Sequence, residues 1–216
     1  SGGQATDIAR LDWNYDIDFF GNQTYVVAGN TTYALNADNT TTAVATVAGY
    51  SGPLTFDAAG NLYYVPSNFP FTTAVYEWSA AKVQAAMEGN VLGIDDADAA
   101  IPVGGAAGMV FDKQGRLIFS NNSGGQARIQ RWDGTSIATL ATLTLSDVQS
   151  PAVTFLRYDA STNDLYAGIN YYTGGYANNY NYITKLTYVP EPGSLLALCS
   201  LIGLAGSAKL LRRPRK

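Results

Sequence analysis

Three stretches of this chain repeat one another closely enough to fix the kind of fold it can adopt. They are TFDAAGNLYYV from Thr55 to Val65, VFDKQGRLIFS from Val110 to Ser120, and LRYDASTNDLYAGI from Leu156 to Ile169. In each, an apolar or aromatic residue precedes an aspartate (Asp57, Asp112, Asp159), a short polar turn follows, and alternating apolar residues resume. Period-two alternation on both sides of turn residues that accept positive φ, here Gly60 and Gly115, is the pattern of a β-hairpin. A looser copy, IDFFGNQTYVV from Ile17 to Val27 with Asp18 in the aspartate's place, makes four. One aspartate per unit at the same turn is what capping of a tight turn requires, so these residues are read as structural.

A large aromatic residue closes each unit: Trp13, Trp78, Trp132 and Tyr188, at separations of 65, 54 and 56 residues. The aspartates stand 39, 55 and 47 residues apart. Drift around a period of about 50 suits the four-stranded blades of a β-propeller with loop insertions, whereas a solenoid keeps tighter spacing. The expected fold is therefore all-β, a partial propeller of about four blades in an open arc over residues 1–188. The stretch from Ser79 to Gly89 breaks the β pattern with helix formers and a terminal glycine, which predicts a short surface helix between strands. The pentapeptide SGGQA at Ser1 to Ala5 returns at Ser123 to Ala127, so the chain is expected to begin in mid-blade, with further blades before Ser1. The pattern FDxxGxLYxxN resembles that of NHL-type and related secreted propellers.

Charge excludes one class of partner. Five of the 13 basic residues (Lys209, Arg212, Arg213, Arg215, Lys216) fall in the last eight positions, while all 17 acidic residues precede Gly193, leaving the body strongly acidic. Nucleic acid binding needs clustered Lys or Arg to displace counterions, and the body has no such stripe. The chain has no histidine, which removes Ser-His triads and histidine-based zinc sites, and its one cysteine, Cys199, lies in an apolar run. The acidic run Asp95, Asp96 and Asp98 lacks the alternating ligands, glycine and distal glutamate of a calcium loop and reads as a solvated turn. No catalytic residue, metal or cofactor is expected.

The end of the chain carries a different pattern. Pro190, Glu191 and Pro192 precede an apolar run from Leu195 to Ala208, and a basic stop of Lys209, Arg212, Arg213, Arg215 and Lys216 follows. Proline ends any strand before it and suits a helix start. Residues 193–211 would span about 28 Å as a helix, close to the ~30 Å hydrocarbon core. Lys209 would snorkel to the interface, and the arginines would remain cytoplasmic. This order closely resembles the PEP-CTERM sorting signal of Gram-negative, exopolysaccharide-producing bacteria. The resemblance implies recognition by exosortase, a membrane-embedded transpeptidase-like enzyme, cleavage near Pro190, Glu191 and Pro192, and loss of the tail. It also implies an exported protein that passes through an inner-membrane intermediate to the cell surface or the extracellular space.

Ligand contact is expected at NYYTGGYANNYNY. Its tyrosines Tyr171, Tyr172, Tyr176, Tyr180 and Tyr182 offer faces that stack on sugars, while the asparagines hydrogen-bond hydroxyls, so extracellular polysaccharide is the candidate ligand. The function these features define is a non-catalytic, exported surface or matrix protein that presents a propeller platform, not an enzyme. The alternative is a secreted propeller enzyme, a calcium-dependent hydrolase or lyase, with acidic residues of several blades converging on the channel.

Overall fold

The computed structural model describes residues 7–66, 73–143, 149–172 and 180–187. Among the described residues fifteen strands form four antiparallel sheets, accompanied by one α-helix. Blade 1 is β1 (Asn14–Phe20), β2 (Gln23–Ala28), β3 (Thr31–Leu35) and β4 (Thr41–Thr46). Blade 2 is β5 (Leu54–Phe56), β6 (Leu62–Tyr64), β7 (Thr73–Trp78) and β8 (Ala99–Val103). Blade 3 is β9 (Met109–Phe111), β10 (Leu117–Asn121), β11 (Ala127–Trp132) and β12 (Ile137–Leu143). Blade 4 holds β13 (Gln149–Asp159), β14 (Asp164–Tyr172) and β15 (Tyr180–Thr187). Each sheet runs in sequence order, and the first strands β1, β5, β9 and β13 pack against one another in turn. This is a four-blade propeller-like arrangement with the first strands at its centre.

The repeated hairpins are the inner two strands of each blade. Asp57 accepts the Ala59 and Asn61 amides at 2.9 Å, and Asn61 Nδ2 donates to its other oxygen at 2.8 Å. Asp112 accepts the Gln114 and Arg116 amides and pairs with Arg116 Nε at 2.8 Å. Asp159 accepts the Ser161 amide and hydroxyl. These aspartates close turns, as the sequence predicts. Those donors hold the Asp159 carboxyl below the usual range, as neighbouring Ser and Thr donors do for Asp38 and Asp133. Their stabilisation is in place above the ordinary aspartate pKa and is lost as pH falls through the depressed values.

Alternation explains how blade 2 is buried on both faces. Leu54, Phe56, Leu62, Tyr64 and Trp78 pack toward Tyr25, Val27, Ala34 and Val44 of blade 1. Tyr63, Val65, Val75, Ile101 and Val103 pack toward Met109, Leu117 and Phe119 of blade 3. Between blades 3 and 4 the link is polar as well: Asn122 donates from Nδ2 to the Val153 carbonyl and accepts the Val153 amide at Oδ1, both at 2.9 Å.

The predicted helix is present as α1 (Ala80–Met87) but is more than a surface decoration. Val83 and Ala86 are buried against β4. Beyond the helix, Leu92 exchanges backbone hydrogen bonds with Val44 and Thr46, covering the outer edge of blade 1. Asp98 accepts the Ser79 amide at 2.8 Å and pairs with Lys82 Nζ at 2.6 Å, so it is tied to the start of α1, while Asp96 accepts the Gly93 amide.

Two repeat assignments differ from expectation. Asp18 lies within β1, three residues before Gly21 of the Gly21–Asn22 turn, because this hairpin turns in two residues rather than around an aspartate. Trp13 ends no strand: it is 86% exposed with φ 58°, whereas Trp78 and Trp132 end the third strands β7 and β11. Residues 1–5, the first SGGQA copy, lie outside the described residues; in the second copy a 3₁₀ turn at Ser123–Gly125 leads into β11.

Candidate functional site

At the centre of the arrangement β1 and β13 face each other across a cavity of about 520 Å³, lined in part by Tyr15, Asp16, Gly108, Asn122, Thr154 and Arg157. Both walls are bent by a β-bulge. In β1 the register passes from Asn14↔Ala28 to Asp16↔Val27, leaving Tyr15 as the extra residue. In β13 it passes from Val153↔Ile169 to Phe155↔Gly168, leaving Thr154. A bulge interrupts strict alternation, so the adjacent residues Tyr15 and Asp16 both reach the same cavity.

Tyr15 crosses the cavity and donates its hydroxyl to the Ala107 carbonyl at 3.1 Å. Asp16 accepts the Ile17 amide at 3.0 Å and the Leu54 amide at 3.2 Å, and Arg157 Nη2 stands 3.8 Å from its Oδ1. Asp18, one step along the same face of β1, accepts the Phe19 and Phe56 amides. The two aspartates thus cover alternate amides on the open edge of β5, and Asp16 alone also meets a cation.

Burial raises the Asp16 carboxyl above the ordinary aspartate range, against the lowering effect of the two amides and of Arg157. Burial, and then Asp16, push the Tyr15 phenol up. An acid with a raised folded-state pKa favours folding most below its unfolded pKa. That contribution declines as pH rises from the unfolded value of 3.8 through the raised one, so ionised Asp16 works against stability at neutral pH. A desolvated carboxyl beside a cation at a cavity wall has the character that proton-transfer groups share.

The tyrosines chosen from sequence fall on blade 4. Tyr171 and Tyr172 end β14, opposite Pro151 and Gln149 of β13, while Tyr180 and Tyr182 lie in β15. Tyr182 is 49% exposed, and Tyr176 lies outside the described residues. Tyr182 is not among the residues that line the central cavity. Pro190, Glu191, Pro192, the span 193–211 and the basic stop also lie outside the described residues. Among the described residues no helix is long and apolar enough to cross a membrane. Nor, among the described residues, do three carboxylate or cysteine side chains stand close enough together to hold an ion. Sequence reasoning missed Tyr15, Asp16 and Arg157; the available signal was YDIDFF, where carboxylates occupy one face of a strand that starts a repeat.

Four antiparallel sheets in sequence order about shared inner strands define a β-propeller. No family model matches the chain, and no curated protein matches it. Among solved structures it is similar to a streptogramin B lyase, at 15% identity and TM-score 0.50, over 80% of this chain and 55% of that one. It is also similar to the virginiamycin B lyase of Staphylococcus aureus (16% identity, TM-score 0.43, 83% and 57% covered) and to a putative gluconolactonase (12%, 0.39, 83% and 79%). The chain spans about half the length of the two lyase structures. At such identities the likeness establishes the fold. It also corrects the expectation of a non-enzyme, which was drawn from the propeller platform, because a propeller of this architecture is named as a lyase. A platform fold gives no ground for assigning a non-catalytic role.

Proposed function

We propose that this chain belongs to an exported propeller enzyme of the hydrolase or lyase kind, with proton transfer centred on Asp16. The observation that carries this is the half-buried Asp16 carboxyl, raised by desolvation, at the wall of the central cavity 3.8 Å from Arg157. Asp16 would move a proton to or from a substrate held in the cavity. Arg157, whose side chain is 62% exposed, would stabilise negative charge developing on a carbonyl oxygen, and the Tyr15 hydroxyl would orient the ligand. The likeness to a streptogramin B lyase supports an elimination as the reaction to try first.

The test is turnover of a panel of cyclic esters and uronic-acid polysaccharides, followed by mass spectrometry. Asp16→Asn and Arg157→Met are each expected to lower the rate about 100-fold, the usual size of a lost acid–base group. Asp16→Asn should also keep or raise the melting temperature at pH 7, since it removes a charge the fold disfavours. Loss of stability and activity together in Asp16→Asn would make Asp16 a latch between β1 and β5 instead.

Delivery is the second part of the proposal: exosortase would recognise Pro190, Glu191 and Pro192 and remove the membrane helix 193–211, releasing the protein to the surface or the exopolysaccharide. The order of prolines, apolar run and basic stop supports it. The mature C-terminus, read by mass spectrometry from cells with and without the sorting enzyme, should differ; one identical unprocessed end in both would refute the sorting step.

A further inference from the structure

A second cavity, of about 320 Å³, opens between blades 2 and 3, away from the central one. Strand register explains it. Tyr63, Glu77 and Ala99 stand side by side across β6, β7 and β8, and Phe111, Leu117 and Trp132 stand side by side across β9, β10 and β11. Where these rows face each other, the Tyr63 and Phe111 rings meet edge to face, 5.0 Å between centroids at 68°. Farther out, the row of blade 2 ends in β8 at Ala99, which offers the cavity only a methyl group, while that of blade 3 passes through the indole of Trp132 and ends at Ile137 in β12. The mismatch in size leaves space where the blades would otherwise close.

The lining sorts into ring faces and negative charge. Tyr63, Phe111 and Trp132 supply the rings, Glu77 and Asp133 the carboxylates, and the lining contains no lysine or arginine. Asp133 stays ionised because the Thr135 and Ser136 amides and hydroxyls all donate to it. Aromatic faces carry negative potential, so rings and carboxylates here add in sign. A neutral sugar would stack on the rings but bring no countercharge to Glu77 and Asp133. A soft organic cation satisfies both parts of the lining and loses little hydration on entry.

We propose that this inter-blade cavity binds an organic ammonium group of the quaternary or alkylated kind, held against Tyr63, Phe111 and Trp132 with Glu77 and Asp133 as countercharge. The site is independent of the central cavity and of the proton-transfer role of Asp16.

The experiment is calorimetric titration of the full chain with choline chloride, run beside its uncharged carbon isostere dimethylbutanol and beside glucose. Choline is expected to bind saturably, and its methyl proton resonances to move upfield under the ring currents. Glu77→Gln and Trp132→Ala should each weaken binding at least about tenfold, within the range of a cation–π contact or a charge-assisted one. Ala99→Leu fills the space and leaves every ring and carboxylate in place, so it should abolish binding without relying on a disruptive truncation. Failure of choline to saturate, equal or tighter binding of dimethylbutanol or glucose, or undiminished binding to Ala99→Leu would each overturn the proposal.

Discussion

Trp78→Ala is expected to destabilise the protein by about 3–5 kcal/mol, the range for removing a large aromatic side chain from a core. Trp78 is fully buried at the end of β7 and packs in the cluster that joins blades 1 and 2, with Tyr76 beside it at 6.1 Å between centroids. Its indole nitrogen donates to the Gly93 carbonyl at 3.0 Å, so truncation also strands an acceptor on the segment that follows α1. The loss therefore combines a cavity with an unpaired polar group, and α1 should loosen along with the sheets. Urea denaturation gives the magnitude, and Trp13→Ala is the control, since Trp13 is largely exposed and should change stability by less than about 0.5 kcal/mol. A Trp78→Ala loss below about 1 kcal/mol would mean that blades 1 and 2 do not share this core.

Gly108→Ala is expected to have the next largest effect, about 1–3 kcal/mol as an overpacking substitution. A Cβ at Gly108 would lie 2.7 Å from the Leu156 nitrogen and 2.8 Å from the Phe155 carbonyl carbon. Those are backbone atoms of β13 and cannot swing aside as a side chain would. The Gly108 backbone is itself pinned, since its amide donates to Ser120 Oγ and its carbonyl accepts the Ser120 amide. Strain must then be relieved by moving blade 4 away from blade 3. Hydrogen exchange should report this as faster exchange in β13 and β14, with β6 and β7 unchanged. Uniform acceleration across all blades would contradict a local separation.

The regular parts of the fold were legible because they are local. A hairpin is specified by a few consecutive residues: an aspartate that accepts turn amides, a residue free to take positive φ, and alternation on either side. Those signals sit together at Asp57–Gly60 and Asp112–Gly115, and they marked the same hairpins in the folded chain. The looser first copy lacked the aspartate turn, and that is where the repeat assignment slipped, at Asp18 and Trp13. Helix α1 was visible from its run of helix formers, but its docking on β4 was not, since nothing in AAKVQAAM names the strand of another blade that receives Val83 and Ala86.

The candidate sites lay beyond such reasoning. Tyrosine-rich composition drew attention to β14 and β15, yet the central cavity is built from Tyr15, Asp16 and Arg157, which belong to the first and last described blades. By itself the sequence determined the alternating strands, the aspartate turns, the count of repeated units and the acidic body, all of which follow from neighbours along the chain. Tertiary structure alone decided which carboxylate is desolvated, which bulged strands face each other, and where alanine opposes tryptophan between two blades. Packing of strands distant in sequence sets those distances and local dielectrics, and no stretch of consecutive residues encodes them.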